Sequence, residues 1–193
     1  MKHYNIYMAG VGGQGIGLLS EVLLRAADHA GYSAKAVDTH GLAQRGGIVV
    51  SQLRIGRTVF TPLIPGQGAD LVVALERHEA LRAMNEFLRD GGVLIYYDTV
   101  WQPLEVRLKA APEVSAAVIA AECRRRGIVL HRVFEPDLPD TRMQNIVLLA
   151  HLDRHGLIEG IGTGHYLKAM EDLMAGSMLQ TNVDMFRQVR QAA

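Results

Sequence analysis

Two glycine-bearing segments carry the residue types that could bind an anion. The first runs Gly10-Val-Gly12-Gly13-Gln14-Gly15-Ile-Gly17, and Gly10, Gly12 and Gly15 have the spacing G-x-G-x-x-G. Glycines at these places permit a tight turn and let a ligand approach the backbone closely. A helix that begins directly after them offers free N–H groups and the positive end of its dipole to a phosphate. The segment therefore predicts a phosphate or nucleotide contact, and close packing within an α/β sheet is the alternative.

The second segment is more polar and reads Asp38-Thr-His-Gly-Leu-Ala-Gln44-Arg45-Gly46-Gly47. The planar guanidinium of Arg45 can form paired hydrogen bonds with a phosphate or carboxylate. Gly46 and Gly47 permit backbone angles that are closed to other residues. Taken alone, the segment could equally be a turn with a solvated arginine. The residues predicted to contact a ligand in the two segments are Gly10, Gly12, Gly13, Gln14, Gly15, Gln44, Arg45 and Gly46.

Both segments follow predicted strands, which places them together. Tyr4–Ala9 is apolar and rich in β-forming residues, and the apolar positions from Leu19 to Ala30 have helical spacing that stops at Gly31. Ser33–Asp38 is a second predicted strand, completing a βαβ unit with a right-handed crossover. Because the carboxyl ends of parallel strands meet at one edge of a sheet, the two glycine-bearing segments should be neighbours.

The rest of the chain continues an α/β rhythm. The predicted strands and turns are a β-hairpin of Ile48–Ile55 with Thr58–Thr61, then Asp70–Leu75, a turn at Gly91-Gly92 before Val93–Tyr97, a short strand Val106–Lys109, and Ile128–Phe134. Helices are predicted over 77–89, after Pro112 as far as Arg126, and throughout most of the chain after Thr141. The predicted fold is α/β, with a single doubly wound, mostly parallel, Rossmann-like sheet, an inserted β-hairpin and a helical C-terminal third. Residues 1–193 are expected to form one domain.

Composition excludes several functions. Cys123 is the single cysteine, so the chain cannot build an internal disulfide or a four-cysteine cluster. Lysine plus arginine and aspartate plus glutamate number 20 each, which argues against non-specific binding to nucleic acid or membranes. No apolar run reaches transmembrane length, and a strand that begins near Tyr4 leaves no room for a signal peptide. A cytoplasmic location is expected.

Several other side chains receive structural interpretations. His151 and His155 have the four-residue spacing of a metal pair, but no third ligand is evident, so no metal site is predicted. These histidines and the run Arg124-Arg125-Arg126 lie where cations complement the C-terminal end of a helix dipole. Cys123 has apolar helical neighbours and is expected to be an inert core residue.

Together the two glycine-bearing segments, followed by the strand Ile48-Val-Val-Ser-Gln-Leu-Arg-Ile55, resemble the gamma-type domain of 2-oxoacid:ferredoxin oxidoreductases. Within that family the sequence from His40 to Gly47 is most similar to the small (beta) subunit of the indolepyruvate-specific enzymes. The resemblance extends to Ala69-Asp-Leu-Val-Val-Ala-Leu-Glu76, to Gly91-Gly92 before a strand, and to the helix that contains Asn145.

The resemblance implies a role in converting a 2-oxoacid, in particular indolepyruvate or another aryl-pyruvate, coenzyme A and oxidised ferredoxin into acyl-CoA, carbon dioxide and reduced ferredoxin. Because this chain carries no thiamine diphosphate motif and a single cysteine, thiamine diphosphate and the iron–sulfur clusters are expected on a larger partner subunit. This chain would then be inactive alone, with no catalytic residue of its own, and would support the partner's active site and contact coenzyme A.

Two other functions stay open at this stage. A stand-alone NAD-type oxidoreductase would use Asp38 on a ribose hydroxyl, since an acidic residue after the second strand has that role in dinucleotide-binding folds. A purely structural subunit would use both glycine-bearing segments for protein contacts alone. The near-zero net charge also does little to prevent self-association of the isolated chain.

Overall fold

The computed structural model describes residues 3–40, 47–101 and 113–192. The strands are β1 His3–Val11, β2 Ser33–His40, β3 Ile48–Gly56, β4 Ala69–Ala74, β5 Leu88–Tyr97 and β6 Val129–Val133. The helices are α1 Ile16–His29, α2 Arg77–Glu86, α3 Ala116–Arg125, α4 Gln144–Arg154, α5 Thr163–Leu173 and α6 Gly176–Gln191. One turn of 3₁₀ helix, Thr141–Met143, leads into α4.

The strands form a mixed sheet in the order β2-β3-β1-β4-β5-β6. Strands β1, β4, β5 and β6 are mutually parallel, whereas β3 is antiparallel to both of its neighbours, β1 and β2. The predicted α/β class, with a doubly wound, mostly parallel sheet and a helical C-terminal third, is confirmed. Strands β1 and β2 run in the same direction as predicted, but β3 lies between them.

The prediction that Thr58–Thr61 pairs with β3 in an inserted hairpin is wrong. Both edges of β3 are already occupied by β1 and β2, so no backbone edge remains for a further strand. Side chains of β3 hold the following loop instead. The Gln52 Oε1 accepts a hydrogen bond from the Ile64 N–H at 2.7 Å, and the Arg54 guanidinium donates to the Thr61 carbonyl at 3.4 Å.

The remaining boundaries differ from the predictions by a few residues. Helix α2 ends at Glu86, before the predicted limit, because β5 already begins at Leu88. The predicted turn at Gly91-Gly92 is an irregularity inside β5, where the pairing with β4 shifts register. The predicted strand Val106–Lys109 lies outside the described residues.

Helices cover the sheet in two layers, and the alternation of side chains along β1 shows why. Ile6 and Met8 are buried on one face with α1, α4, α5 and α6. Tyr7 and Ala9 are buried on the other face with α2 and α3. Because successive residues of a strand point to opposite faces, a strand covered on both sides needs the uninterrupted apolar run that Tyr4–Ala9 provides.

The arginine run after α3 contains one buried member. Arg126 is 9% exposed, and its guanidinium donates to the Met84 carbonyl at 2.7 Å, to Asp90 at 2.7 Å and also to the Leu88 carbonyl. It therefore joins the end of α3 to the connection between α2 and β5, a role beyond the predicted complement to the helix dipole. Cys123, by contrast, is inert as predicted, since it is 2% exposed and burial raises the pKa of its thiol to about 11.

Replacing Arg126 with alanine should lower the free energy of unfolding by about 3 kcal/mol, because buried carbonyls would lose their donor. Urea denaturation followed by circular dichroism measures this change. Arg124→Ala is the matched control, since Arg124 is exposed at the same helix end and its removal should leave the midpoint near that of the wild type. Equal midpoints for the two variants would contradict the assigned role of Arg126.

Three histidines form a cluster between β6 and α4. The His131 and His155 rings lie 4.5 Å apart and the His151 and His155 rings 5.7 Å apart, centre to centre. Burial, followed by the neighbouring cations and imidazoles, lowers the pKa of His151 to about 4. Burial also lowers the pKa of His131 and of His155. Folding therefore keeps this cluster neutral.

The free energy of unfolding should fall as the pH is lowered from about 6.5 towards 4, where unfolded histidines are protonated and His151 in the folded chain is still neutral. An unfolded imidazole titrates near pH 6.5, and His151 titrates at about 4 in the folded chain. Between these values the unfolded chain binds more protons, so the contribution is complete above about pH 6.5 and is lost as the pH falls towards 4. The variant His151→Leu should lose less stability between pH 7 and pH 5 in thermal denaturation. A slope equal to that of the wild type would contradict the assignment.

Candidate functional site

The first glycine segment forms a loop at the carboxyl end of β1 and leads directly into α1. Gly10 belongs to β1, and a Cβ there would lie 3.0 Å from the Oε1 of Gln14 and from Ile16. Gly13 and Gly15 have φ angles of 101° and 82°, in the region that favours glycine. Gly15 is the residue that caps α1. The predicted strand–glycine–helix arrangement is thus present, and we call residues 10–15 the glycine loop.

Gln14 is the internal support of the glycine loop. Its side chain is 4% exposed, and the Oε1 accepts a hydrogen bond from the Val11 N–H at 2.7 Å. Its Nε2 donates to the Leu75 carbonyl at 2.7 Å and to the Gln144 Oε1 at 3.4 Å. The amide is therefore occupied by β1, the end of β4 and the start of α4. Gln14 shapes the loop, while the exposed backbone around it is what a ligand can reach.

Asn145 holds the other end of the loop. Its Nδ2 donates to the Gly15 carbonyl at 3.2 Å, and the residue is 3% exposed. A Cβ at Gly15 would lie 2.5 Å from the same nitrogen. The third glycine of the motif therefore permits close contact with α4, a helix distant in sequence, rather than with the preceding strand.

The second glycine-bearing segment joins the first, as predicted. The Gly12 N–H donates to the Gly47 carbonyl at 2.8 Å, and Val11 is paired with Ile48 across the β1–β3 ladder. The carboxyl ends of β1 and β2 lie at the same edge of the sheet, since both strands are antiparallel to β3. Gln44, Arg45 and Gly46 lie outside the described residues, so their ligand contacts stay predictions.

Backbone donors are the chemistry that the glycine loop offers. The Leu19 N–H donates to the Gly15 carbonyl at 3.0 Å, which makes it the first hydrogen bond of α1. The N–H groups of Ile16, Gly17 and Leu18 have no acceptor within the described part of the chain. The first turn of α1 also contains no acidic side chain. This end of α1 therefore suits an anion such as a phosphate.

Clefts lie on both sides of the glycine loop. One of about 350 Å³ borders Gly12, Gly17 and Val49. A second of about 510 Å³ lies between the starts of α1, α4 and α6 and is lined by Gly13, Gly15, Leu18, Pro139, Asp140, Arg142, Met143, Asn145, Ser177, Met178, Thr181 and Asn182. Three helix N-termini thus face the larger cleft, and all of them favour negative charge.

The larger cleft combines the positive potential of these helix N-termini with apolar surface. Leu18 and Met178 provide apolar contacts, and Met178 is 53% exposed. Arg142 is paired with Asp140 at 2.6 Å, and this hydrogen bond lowers the pKa of the carboxyl group. Because that carboxylate offsets the arginine, the oriented backbone rather than a net positive side chain is the main anion-attracting feature.

A buried polar network, missing from the sequence prediction, lies at the carboxyl ends of β4 and β5. Glu76 is 1% exposed and accepts hydrogen bonds from the Glu79 N–H at 2.9 Å and the Trp101 N–H at 3.1 Å. His78 interacts through Nδ1 with Glu76 at 2.8 Å, and its Nε2 accepts from the Val114 N–H at 3.3 Å. The network therefore anchors the chain on both sides of residues 102–112.

Asp98 completes the network. Arg77 donates to it at 2.7 Å and Arg132 at 2.5 Å. Burial opposes ionisation of Asp98, but these two hydrogen bonds outweigh it and lower the pKa of the carboxyl group. Acidic residues directly after two apolar strands, Glu76 after β4 and Asp98 after β5, were the signal in the sequence that could have revealed the network.

The strand order does not support the NAD alternative. In a dinucleotide-binding fold the strand that carries the ribose-binding acid lies next to the first strand. Here β3 separates β2, which carries Asp38, from β1. Asp38 nevertheless lies on the α1 side of the sheet, where its Oδ2 is 4.0 Å from the position of a Cβ at Gly17, so the strand order is what differs from a dinucleotide-binding fold. The structure is thus an α/β chain with a glycine loop that offers backbone donors, on a sheet order different from the dinucleotide-binding one.

Comparison with known proteins identifies the family. The family model described as pyruvate ferredoxin/flavodoxin oxidoreductase matches residues 5–192, and the chain therefore belongs to this family. Within the described ranges, no helix combines the length and the apolar character needed to span a bilayer. No group of three or more histidine, cysteine or acidic side chains in the same ranges is arranged to hold a metal ion.

Curated relatives are subunits of indolepyruvate oxidoreductases. The chain is 38% identical over 111 residues to indolepyruvate oxidoreductase subunit IorB of Thermococcus kodakarensis, which covers 58% of this chain and 54% of that protein. It is 53% identical over 78 residues to the IorB subunit of Archaeoglobus fulgidus, covering 40% of this chain and 38% of the relative. The matched region spans about half the length of the Thermococcus relative.

Solved structures share the fold at low sequence identity. The gamma subunit of a keto/oxoacid ferredoxin oxidoreductase from Geobacter sulfurreducens has a TM-score of 0.68 and 19% identity, covering 97% of this chain and 96% of that chain. The 2-oxoglutarate:ferredoxin oxidoreductase of Magnetococcus marinus, solved with 2-oxoglutarate, coenzyme A and succinyl-CoA, has a TM-score of 0.72 and 19% identity. That match covers 98% of this chain and 31% of the Magnetococcus chain. These likenesses establish the fold.

Replacing Gly15 with alanine should lower the free energy of unfolding by about 2 kcal/mol, because a φ of 82° is strained for alanine and its Cβ would clash with Asn145. Chemical denaturation measures the loss. Gly164→Ala is the matched control, since Gly164 lies in the first turn of α5 with open space where a methyl group would be added, and it should be neutral or stabilising. A harmless Gly15→Ala variant would show that the tight approach of α4 is dispensable.

Proposed function

We propose that this chain is the small subunit of a 2-oxoacid:ferredoxin oxidoreductase, with residues 1–193 acting as one gamma-type domain. The observation that carries the proposal is the family match over residues 5–192 together with curated relatives named as indolepyruvate oxidoreductase subunits. The substrate is accordingly proposed to be indolepyruvate or a related aryl-pyruvate. The chain has no catalytic residue of its own in this proposal and is inactive alone.

Redox chemistry is assigned to a larger partner subunit. A four-cysteine iron–sulfur cluster does not fit this chain, because Cys123 is its single cysteine and is buried. Thiamine diphosphate and the clusters therefore belong to the partner in this proposal, which passes electrons to ferredoxin. A lone buried thiol is also in keeping with a reducing compartment, and we propose a cytoplasmic location for the complex.

Coenzyme A is the ligand proposed for the glycine loop. The free N–H groups at the start of α1 would bind a phosphate of coenzyme A, and Gln14 and Asn145 would keep the loop in position. Arg45 would reach the same anion from the neighbouring segment, whose closing residue Gly47 accepts from the Gly12 N–H at 2.8 Å. Binding by oriented backbone groups explains why the site needs little net positive charge.

The test is reconstitution of this chain with its larger subunit and an assay of ferredoxin reduction by indolepyruvate. Arg45→Ala should raise the Michaelis constant for coenzyme A about tenfold and leave that for the 2-oxoacid unchanged, because one charge-assisted contact is lost. Arg57→Ala is the matched control, since Arg57 is exposed beyond β3 at the opposite edge of the sheet and its removal should change neither constant.

Two results would contradict parts of the proposal. Equal Michaelis constants for coenzyme A in Arg45→Ala and the wild type would remove the coenzyme A contact and favour a subunit whose loops contact protein alone. Absence of 2-oxoacid-dependent ferredoxin reduction in the reconstituted wild-type complex would remove the proposed activity itself.

A further inference from the structure

Within the described residues, strands β2 and β3 carry a helix on one face only, and the loop at Thr61–Ile64 covers a part of the other face. Helix α1 packs against both strands, where Leu53 and Ile55 are buried beneath it. On the opposite face, α2 packs against β1, β4 and β5, and no helix of the described ranges packs against β2 or β3. Doubly wound sheets ordinarily carry helices on both faces. The described part of the chain therefore supplies no second helical layer over this third of the sheet.

The uncovered face forms a defined apolar strip. Near the glycine loop its floor consists of Val37 and Thr39 of β2 with Ile48 and Val50 of β3, because alternate residues of each strand point to this side. Gln52, Arg54 and Lys35 continue the same face towards the opposite end of the strands and bound the strip there. Ile48 is 40% exposed. Two neighbouring strands span about 10 Å, which equals the diameter of one α-helix. The strip is thus as wide as a single helix packed beside α2.

Helix α2 forms an acidic wall along this strip. Glu79, Arg82 and Glu86 line a cavity of about 180 Å³ between α2 and the side chains of Tyr7 and Val50. Glu79 is 5% exposed, and its nearest cation is the Arg82 guanidinium at 3.3 Å. Burial raises the pKa of the Glu79 carboxyl group despite that arginine. Two carboxylates against one guanidinium leave this wall suited to an additional cation.

We propose that the strip receives an α-helix of the larger partner subunit, with an apolar stripe on Val37, Ile48 and Val50 and a lysine or arginine that reaches Glu79. The proposal rests on the larger subunit of the proposed function. The strip also continues into the glycine loop, because Ile48 is paired with Val11 and follows Gly47. A partner that completes the site at the glycine loop can therefore cover the strip in the same contact.

A second copy of this chain is a poorer occupant. In a two-fold symmetric contact the same patch of both copies meets, and a contact with the α2 walls at the symmetry axis would oppose the carboxylates of the two copies. Like charges at such a contact oppose association. The charge of the α2 wall therefore favours a basic helix from a different chain.

Binding of this chain to the purified larger subunit tests the proposal. Val50→Asp should raise the dissociation constant about a hundredfold, because an aspartate would be buried unpaired beneath the docked helix. Val129→Asp is the matched control, since Val129 is 52% exposed on β6 at the far end of the sheet, and it should bind within about twofold of the wild type. Equal affinities of the two variants would overturn the proposal.

Glu79→Gln separates docking from folding. Removing a carboxylate that burial destabilises should leave the thermal midpoint of the free chain unchanged or higher, yet weaken binding to the larger subunit about tenfold. Unchanged binding would overturn the assigned ion pair. This variant also keeps the test valid if Val50→Asp fails to fold.

Crosslinking identifies the occupant directly. A Thr39→Cys variant carries an exposed thiol in the strip, whereas Cys123 is buried with a pKa of about 11 and should stay unlabelled. A thiol-attached photocrosslinker in the assembled complex should join Thr39→Cys to a helical, lysine- or arginine-bearing segment of the larger subunit. Crosslinks to a second copy or to no protein would overturn the proposal. Wild-type chain that fails to bind the larger subunit would overturn the proposed function as well, which distinguishes the two failures.

Discussion

The antiparallel pairing of β3 with both β1 and β2 is the constraint on which the site depends. It turns β1 and β2 in the same direction, so that their carboxyl ends and the two glycine-bearing segments meet at one edge. The hydrogen bond from the Gly12 N–H to the Gly47 carbonyl fixes that meeting. The same pairing separates β2 from β1, so the sheet order differs from that of dinucleotide-binding folds, although the Asp38 carboxylate lies near Gly17 of α1. It also leaves the outer face of β2 and β3 without a helix from the described residues.

Buried amides make the glycine loop a single conformation. A loop of glycines has high conformational entropy when unfolded, and contacts with rigid neighbours must offset that cost. Gln14 supplies hydrogen bonds to Val11 and Leu75, and Asn145 supplies one to Gly15, so the loop is fixed from below by three separate elements. Backbone donors that are already oriented lose little entropy when an anion arrives. The support is therefore as much a part of the candidate site as the glycines themselves.

The sequence predicted the elements better than their pairing, for physical reasons that particular residues show. Apolar runs bounded by glycine, such as Tyr4–Ala9, determine local structure, and these predictions were confirmed. The hairpin of Ile48–Ile55 with Thr58–Thr61 was predicted from neighbouring residues, but strand pairing is a long-range property, and β1 and β2 occupy both edges of β3. Arg126 could not be told from Arg124 by residue type, because its burial depends on carbonyls from a different element. The cluster of His131 with His151 and His155 was not predictable for the same reason, because it forms only when β6 and α4 pack together.

The charge balance of the chain explains why its ligand-binding surface depends on geometry. With 20 cationic and 20 anionic side chains, the chain has no long-range field that would attract a phosphate. Arg142, which borders the larger cleft, is offset by Asp140 at 2.6 Å. Attraction must therefore come from short-range sources, namely the helix N-termini around the glycine loop and any cation that a neighbouring chain adds. Short-range sources are strong only where water is excluded, and clefts open on both sides of the loop do not exclude it. A second protein surface over the loop and the adjoining strip would exclude water. The glycine loop is therefore best suited to form one wall of a site that is shared with another chain.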